Sequence, residues 1–489
     1  MTTVFEPAAT SRPLRPETPG ASLATSVAAS TWRPRFTAFV VTFAVFTALG
    51  GWACSRSEGS GAVSWYTSVL WSLPVVTAFP GLVGALRTAR RLRLPDASWL
   101  VADTVEDLLV VVVPTIGRHD TWLALERAVR SFCRHLPARF VHFRVDLVVE
   151  EGCEAATSIH ALAASGLPVR VVTVPRGYAT ARGTRFKARA NHYAHELRII
   201  ERESRDDVWV LHMDDDTGLG PDTVESLAGF ITHSRSGDRE RHLAQGVLTY
   251  PREFAGNRLV WLADAVRPGC DISLFSGSTG RGSPRSGLHG ELLLVRASIE
   301  AVIGWDFGPS CLVEDAYFAM AFCDAYPGQS AWFPGRCYGA SPVSVRDFVR
   351  QRERWVWGLL ELATRSPVPW RRRAPLLKNV LVWVCGPLQH PAFVLLVAVL
   401  LGDLDTAPVL GLLVPLWAFN MGCCVWLYWE GLRLNTLSSS PPRAQRWERP
   451  CLLLLIPLFS FWEVIGILRG VARFAAQRDQ AFTVIAKPR

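Results

Sequence analysis

The chain has 489 residues, of which 49% are hydrophobic, with a formal net charge of +9 at pH 7 and eleven cysteines. This length exceeds one ordinary domain, and the apolar content exceeds what a soluble enzyme of this size needs, so part of the chain is expected in a membrane. Nucleic-acid binding is disfavoured, because the arginines cluster beside apolar segments without interleaved aromatic residues, a pattern that indicates a membrane surface. The cysteines include no CxxC pair and no zinc-type Cys/His cluster, so we interpret them as free, buried and reduced.

Two apolar runs near the amino end predict a transmembrane hairpin over residues 36–90. Residues 36–54 form an uncharged run long enough to span hydrocarbon, and residues 65–86 form a second run. Arginines flank both outer ends of this hairpin, so the positive-inside rule places the amino terminus and everything after residue 90 in the cytoplasm. The preceding residues 1–35 are expected to form a disordered cytosolic tail, since their start is rich in Ala, Ser, Thr and Pro.

Residues 100–370 have ordinary globular composition and predict an α/β domain in the cytosol. Amphipathic stretches alternate with β-branched runs, which indicates a mostly parallel sheet flanked by helices. The β-branched runs cover residues 108–114, 145–149, 169–174 and 208–213. Ligands of such sheets gather beyond the carboxyl ends of the strands, and Asp214, Asp215 and Asp216 follow the fourth run directly.

Three adjacent carboxylates repel one another unless a cation or hydrogen-bond donors compensate them. A calcium loop is excluded, because position five counted from Asp214 is Gly218 and position six is Leu219 instead of glycine. An aspartyl-phosphate phosphatase pattern misses by one residue, and a solvated turn before a helix with Asp222 as its N-cap stays open. We favour a divalent cation held by Asp214 and Asp216, with its shell completed by diphosphate oxygens and water.

Further apolar runs predict transmembrane or interfacial helices within residues 374–470. These runs cover residues 376–401, 408–428 and 451–468. The acidic link after the first run and the basic link after the second fit an outside and then an inside position. The last run carries Glu463 and is followed by another basic tail, so either it re-enters without crossing or residues 376–391 lie along the interface.

Three segments resemble, in order, the motifs of membrane-embedded family 2 glycosyltransferases. "KARANHYA" (187–194) is similar to a Lys-x-x-x-Asn segment, "CLVEDAYFA" (311–319) to an acid-Asp catalytic segment, and "QRERW" (351–355) to the Q-x-x-R-W motif. Each is weak alone, but their order between apolar helices is specific. The resemblance begins at about residue 36, is closest to egghead-type β-1,4-mannosyltransferases, and extends to cellulose and hyaluronan synthases. It implies a GT-A fold, which has a Rossmann-like, mostly parallel sheet.

The resemblance implies a role for each motif. Asp315 is expected to be the catalytic base, with Glu314 raising its proton affinity by like-charge repulsion. Asp214 and Asp216 are expected to hold Mg²⁺ or Mn²⁺. The nucleotide sugar is expected on Pro114, Thr115, Glu150, Glu151, Lys187, Asp214, Asp215, Arg354 and Lys487. The acceptor is expected on His289, Gly290, Gln351 and Trp355.

Two segments depart from the family pattern. Glu150 and Glu151 stand where the family usually has an aspartate that contacts the base or the ribose. Lys487 ends "FTVIAK", which resembles a gating segment of cellulose synthases, within an expected cytosolic tail over residues 471–489. Ile485 replaces the threonine of that pattern, which removes a hydroxyl contact to the diphosphate. A tail with a chance lysine is the alternative interpretation.

The function implied is an inverting, metal-dependent hexosyltransferase of the cell membrane. It would move a hexose, with mannose favoured, from a cytoplasmic nucleotide sugar to a membrane-associated lipid or glycan acceptor through a β-linkage. GDP-mannose is the favoured donor and UDP-glucose the alternative. A processive β-glycan synthase that uses a UDP-sugar is the second hypothesis. A transporter with a cation- or nucleotide-binding domain is the third, although few charges interrupt the apolar runs and no internal repeat is visible.

Overall fold

A computed structural model describes residues 32–56, 61–93, 104–234, 240–390 and 409–478, together with residues 394, 397, 398 and 401. Residues 1–31 of the tail expected over residues 1–35, and the segment with Lys487, lie outside this part of the chain, whereas Trp32 is buried and thus does not belong to a disordered tail. The strands are β1 (Leu108–Thr115), β2 (Phe143–Glu150), β3 (Val169–Val174), β4 (Val208–His212), β5 (Leu243–Thr249), β6 (Leu293–Arg296) and β7 (Ser330–Tyr338).

These seven strands form one sheet in the order β3-β2-β1-β4-β6-β5-β7. Strand β6 runs antiparallel to β4 and β5, whereas the pairs β1-β2, β1-β4, β2-β3 and β5-β7 are parallel. All four β-branched runs of the sequence form strands, because a sheet covered on both faces suits continuous apolar segments. The expectation of a mostly parallel α/β sheet is therefore confirmed.

Helices cover both faces of the sheet. They are α4 (Trp122–His135), α5 (Ala156–Ala163), α6 (Phe186–Ile200), α7 (Pro221–His233), α8 (Arg258–Ala263), α9 (Val266–Cys270), α10 (Ser276–Thr279), α11 (Ala297–Ile303), α12 (Glu314–Ala325) and α13 (Val345–Arg365). Alternate residues of β1 belong to different cores: Val111 lies with side chains of α4, α5 and α7, and Val112 with side chains of α6 and α12.

The amino-terminal hairpin begins and ends against the α/β domain. It consists of α1 (Thr37–Ser55), α2 (Ala62–Ser72) and α3 (Val75–Arg91). Before α1, Trp32 Nε1 donates a hydrogen bond of 3.1 Å to the carbonyl oxygen of Pro334. At the end of α3, Arg91 Nη2 donates one of 2.8 Å to the carbonyl oxygen of Gly280. Both ends of the hairpin therefore contact the α/β domain.

Three helices follow the domain, namely α14 (Trp370–Val384), α15 (Val414–Leu437) and α16 (Glu448–Ala475). Four helical segments of the described chain are long and apolar enough to cross a membrane: Thr37–Ser55, Ala62–Arg91, Gly411–Leu437 and Glu448–Ala475. Helix α14 ends at Val384, so the described part of the run over residues 376–401 does not continue as one long helix. Helix α15 packs along α1.

Both ends of α16 contact the α/β domain. Near its start, Glu448 forms a buried ion pair with Arg252, with 2.6 Å between Oε1 and Nε. Near its end, Arg473 Nε lies 2.6 Å and Arg469 Nε 2.8 Å from the carboxylate of Glu353 on α13. Helix α16 also packs along α13. Helix α16 is therefore joined to the α/β domain near both of its ends.

Two expectations require correction. The N-cap of α7 is Gly220, and Asp222 instead accepts hydrogen bonds from Arg336 Nε at 2.9 Å and from the Tyr338 hydroxyl at 2.5 Å. Asp222 therefore joins α7 to β7, because a first-turn side chain directed at the sheet cannot also cap its own helix. All eleven cysteines are unpaired as expected, but four of them are fully buried and seven are half-buried.

Candidate active site

A cavity of about 930 Å³ begins beyond the carboxyl ends of β1, β2 and β4 and extends to α14. Of the fifteen predicted site residues that the structure describes, fourteen line it. These are Pro114, Thr115, Glu150, Lys187, Asp214, Asp215, Asp216, His289, Gly290, Glu314, Asp315, Gln351, Arg354 and Trp355. Residues that are far apart in the sequence therefore meet in one place.

The triple acid forms one wall of this cavity. Asp216 is buried, whereas the side chain of Asp214 is 30% exposed. Asp215 accepts a hydrogen bond of 2.8 Å from Thr115 Oγ1, and that oxygen accepts one of 3.1 Å from the amide of Gly117. Asp215 thus links the ends of β1 and β4.

Lys187 lies between the triple acid and the Glu-Asp pair. Its ammonium group contacts the carboxylate of Asp214 and lies 3.4 Å from Glu314 Oε1. Burial opposes its charge, but Asp214 and Glu314 hold the pKa of Lys187 above its ordinary value. Gly290 makes room for this ammonium group, because a Cβ at that position would overlap it.

Asp315 is in the first turn of α12, which begins at Glu314. Burial and the neighbouring charge of Glu314 raise the pKa of Asp315 to about 7. These effects outweigh the attraction of Lys187 and a hydrogen bond of 2.7 Å from the amide of Ala316. A carboxylate with this pKa can accept a proton near neutral pH, as a general base must.

The Q-x-x-R-W motif is on α13, where Gln351 and Trp355 share one face of the helix. Burial lowers the pKa of Arg354, although Glu314 and Asp214 oppose this effect. The ring of Trp355, where the acceptor is expected, is covered by two guanidinium groups. The guanidinium groups of Arg267 and Arg352 lie over its ring, 4.3 Å and 4.5 Å from the centroid.

The nucleotide end of the cavity contains Glu150 but not Glu151. Glu150 forms an ion pair with Arg189, with 2.5 Å between Oε2 and Nη1. Glu151 is exposed and accepts a hydrogen bond of 2.9 Å from the amide of Arg176. The expectation for Glu151 is not met, because β2 ends at Glu150 and the turn that follows directs the next side chain away from the cavity.

Several cavity residues do not belong to any predicted set. They are Arg189, Arg267, Asp271, Glu291, Arg352, Trp383 and Glu463. Three of them carry a signal in the sequence, since Arg189 lies inside "KARANHYA", Arg352 lies inside "QRERW", and Glu463 is a charge within an apolar run. The other four come from segments without a recognisable motif.

The imidazole ring of His289 contacts two carboxylates, which the sequence does not predict. Its Nε2 lies 3.1 Å from Asp271 Oδ2 and its Nδ1 3.5 Å from Glu291 Oε2. Burial disfavours the charged ring, but Asp271 and Glu291 raise the pKa of His289 to about 10. The imidazolium is therefore compensated by its own neighbours at neutral pH.

The donor set at the triple acid fits Mg²⁺ or Mn²⁺. In the part of the chain that the structure describes, no group of three or more His, Cys, Asp or Glu side chains is arranged as a complete metal cage. Asp214 and Asp216 would supply two carboxylate ligands and leave the other positions to diphosphate oxygens and water, which suits these ions.

Comparison with known proteins decides the family. The sequence profile of the "Glycosyl transferase family group 2" matches residues 209–466, which is more than half of the chain. The chain belongs to this glycosyltransferase family. This glycosyltransferase is 30% identical over 230 residues to the β-1,4-mannosyltransferase egh of Drosophila melanogaster, with 45% of this chain and 47% of the relative covered. It is 29% identical over 229 residues to the β-1,4-mannosyltransferase bre-3 of Caenorhabditis elegans, at the same coverage.

The matched part of the glycosyltransferase thus spans about half the length of these relatives. Among solved structures, it is similar to a mannosyltransferase from Pyrobaculum calidifontis in complex with GDP-Man and Mn²⁺. That match has 13% identity and a TM-score of 0.47, and covers 84% of this chain and 99% of the other. S. aureus TarS 1-349 in complex with UDP matches at 13% identity and a TM-score of 0.31, with 77% and 94% covered.

Proposed function

We propose that this glycosyltransferase moves a hexose, with mannose favoured, from a cytoplasmic nucleotide sugar to a membrane-associated acceptor and forms a β-linkage with inversion. One observation carries the proposal: a single cavity joins the triple acid, the Glu-Asp pair and the Q-x-x-R-W motif. The mannosyltransferase relatives support mannose and hence GDP-mannose, with UDP-glucose as the alternative donor. A β-product requires inversion, because the sugar of GDP-mannose is α-linked.

The donor would lie at the strand ends. Pro114 and Thr115 border the place for the base, and Glu150 with Arg189 borders the place for the ribose. A divalent cation on Asp214 and Asp216 would act as a Lewis acid on the leaving diphosphate. Lys187 and Arg354 would add positive charge where negative charge develops.

Asp315 would remove the proton of the acceptor hydroxyl as its oxygen attacks the anomeric carbon. The bond between that carbon and the diphosphate oxygen breaks, and the nucleoside diphosphate leaves with the bonding electrons. The proton stays on Asp315, whose pKa of about 7 suits both uptake and later release to water. Glu314 would keep this pKa raised while Lys187 balances its charge.

The acceptor would enter from the membrane side of the cavity. Beyond Gln351 and Trp355, the cavity continues between apolar side chains of α14, such as Leu376 and Val380, and reaches Thr77 on α3. A hydroxylated head group at Asp315 with an apolar chain along α14 fits this change of polarity. This supports a lipid-linked acceptor, with a glycan as the alternative.

The organisation that we propose has a membrane hairpin over residues 36–90, a catalytic domain over residues 100–370 and membrane-associated helices over residues 374–470. The catalytic domain would face the cytoplasm of a multi-pass protein of the cell membrane, since nucleotide sugars are cytoplasmic. The arginines at both ends of the hairpin support this orientation.

The experiment that tests the proposal is incubation of the purified protein in detergent with a panel of nucleotide sugars, Mg²⁺ or Mn²⁺, and membrane lipids. We expect release of nucleoside diphosphate that depends on the lipid, with GDP-mannose as the best donor and one sugar added per acceptor. Products of many sugars would instead support a processive synthase. No release with any donor would refute the proposal.

A further inference from the structure

Glu463 is a charged residue on the apolar helix α16, and it lines the catalytic cavity. An ionisable side chain in an apolar segment costs free energy, so such a residue usually has a polar partner or marks a functional site. Its Oε1 accepts a hydrogen bond of 2.8 Å from Trp383 Nε1. Arg352 Nε is 3.7 Å away, but Arg352 donates a hydrogen bond of 2.6 Å to Asp264. The charge of Glu463 is therefore only partly compensated.

The second oxygen of Glu463 is available to a ligand. Its side chain is 21% exposed, and within the described ranges no hydrogen bond to Oε2 is formed. The hydrogen bond from Trp383 to Oε1 holds the carboxylate at the cavity wall. A ligand that binds Oε2 therefore pays less of the entropic cost of ordering this side chain. Glu463 thus has the geometry of a ligand-binding acceptor group.

Arg267 provides a donor in the same cavity. Its guanidinium group lies over Trp355, 4.3 Å from the ring centroid, and forms no side-chain hydrogen bond with the residues that the structure describes. The guanidinium group of Arg352 also lies over the ring of Trp355, and Arg352 Nε is 3.7 Å from Glu463 Oε1. Arg267 and Glu463 therefore belong to one continuous group of side chains around Trp355, on the acceptor side of Asp315.

We infer that Glu463 and Arg267 bind hydroxyl groups of the acceptor and select a neutral, sugar-like head group over an anionic one. A carboxylate only accepts hydrogen bonds and a guanidinium only donates them, whereas a hydroxyl group does both. A phosphate would be repelled by the carboxylate of Glu463, which is only partly compensated. This inference rests on the proposed function and adds two specificity-determining residues to it.

The test uses full-length protein in nanodiscs with GDP-mannose and octyl β-glucoside as a probe for a neutral head group on an apolar chain. The rate of donor hydrolysis is measured first without the probe. It is then measured at increasing probe concentrations, together with the rate of transfer of the sugar to the probe. We expect Glu463→Gln to raise the half-saturating probe concentration about 10-fold, which corresponds to the loss of one charge-assisted hydrogen bond, and to change this concentration by a larger factor than the rate of donor hydrolysis. Arg267→Gln should also raise the half-saturating probe concentration.

Glu361→Gln is the matched control, because Glu361 is a buried carboxylate of α13 that is paired with Arg365 and does not line the cavity. It should behave as the wild type. Unchanged half-saturation in Glu463→Gln, or octyl phosphate binding better than octyl β-glucoside to the wild type, would overturn the inference. If the wild type turns over no nucleotide sugar, the proposed function fails, and binding of tritiated octyl β-glucoside to each variant still decides the inference.

Discussion

Asp315→Asn tests the assignment of the catalytic base. The asparagine keeps the size of the side chain and can still form hydrogen bonds, but it has no basic carboxylate. General base catalysis contributes roughly 10²- to 10⁴-fold, so turnover should fall at least about 10²-fold. Donor affinity should stay nearly unchanged, because Asp315 is not one of the carboxylates expected to hold the cation.

The pH dependence gives a second magnitude from the same residue. The pKa of Asp315 is raised to about 7, so the basic form is present above that pH and is lost as the pH falls through it. The kcat/KM is proportional to the fraction of free enzyme in which Asp315 is deprotonated, which is about one tenth at pH 6 and about nine tenths at pH 8. The kcat/KM of the wild type should therefore rise about 10-fold between these values, and the asparagine variant should lack this rise.

The assay is the initial rate of nucleoside diphosphate release at acceptor concentrations well below saturation across this pH range, with turnover at saturating acceptor and donor affinity by calorimetry measured separately. Asp324→Asn is a matched control on the same helix, since Asp324 is exposed and pairs with Arg372 away from the cavity. Near-normal turnover by Asp315→Asn would refute the assignment and indicate Glu314. A pH-dependent rise that persists in the variant would show that another group titrates.

Three further predictions concern the metal, the packing and the orientation. Asp216→Ala should abolish metal-dependent donor binding together with turnover, and unchanged metal dependence in a binding titration would contradict the site. Gly431→Ala should destabilise the protein by about 3 kcal/mol or more in thermal unfolding, because a Cβ there would overlap the carbonyl oxygen of Ala265. Gly51→Ala, with open space around it, is its control and should leave the melting temperature within a few degrees. Cys153 should react with a membrane-impermeant thiol reagent after lysis but not in intact cells, and labelling from outside would overturn the orientation.

The sequence determines the local structure and the chemistry of the motifs. Four β-branched runs predict four strands of the sheet, and the strand end before Asp214 predicts where the acids lie. These features can be predicted because they depend on neighbours in the chain: side-chain periodicity, helix spacing in "QRERW", and the rule that ligands gather at the carboxyl ends of parallel strands.

Tertiary structure decides which side chains meet across the chain. Glu151 is directed away from the cavity because of a turn, and Asp222 pairs with Arg336 in place of capping its helix. No periodicity predicts such contacts, since they depend on how the elements pack and on where buried charges find partners. The sequence likewise contains no signal that Arg267 and Arg352 cover Trp355.

The last apolar run shows most clearly which properties the sequence determines and which the tertiary structure decides. Its composition determines that it is a long apolar helix, and by length it can span a bilayer. The ion pairs of Glu448 with Arg252 and of Arg473 with Glu353 fix both of its ends to the α/β domain. The same packing brings Glu463 into the cavity, because the charge is most stable where Trp383 and Arg352 can reach it. Hydropathy measures only how apolar a segment is, and it therefore cannot show which surface that segment packs against.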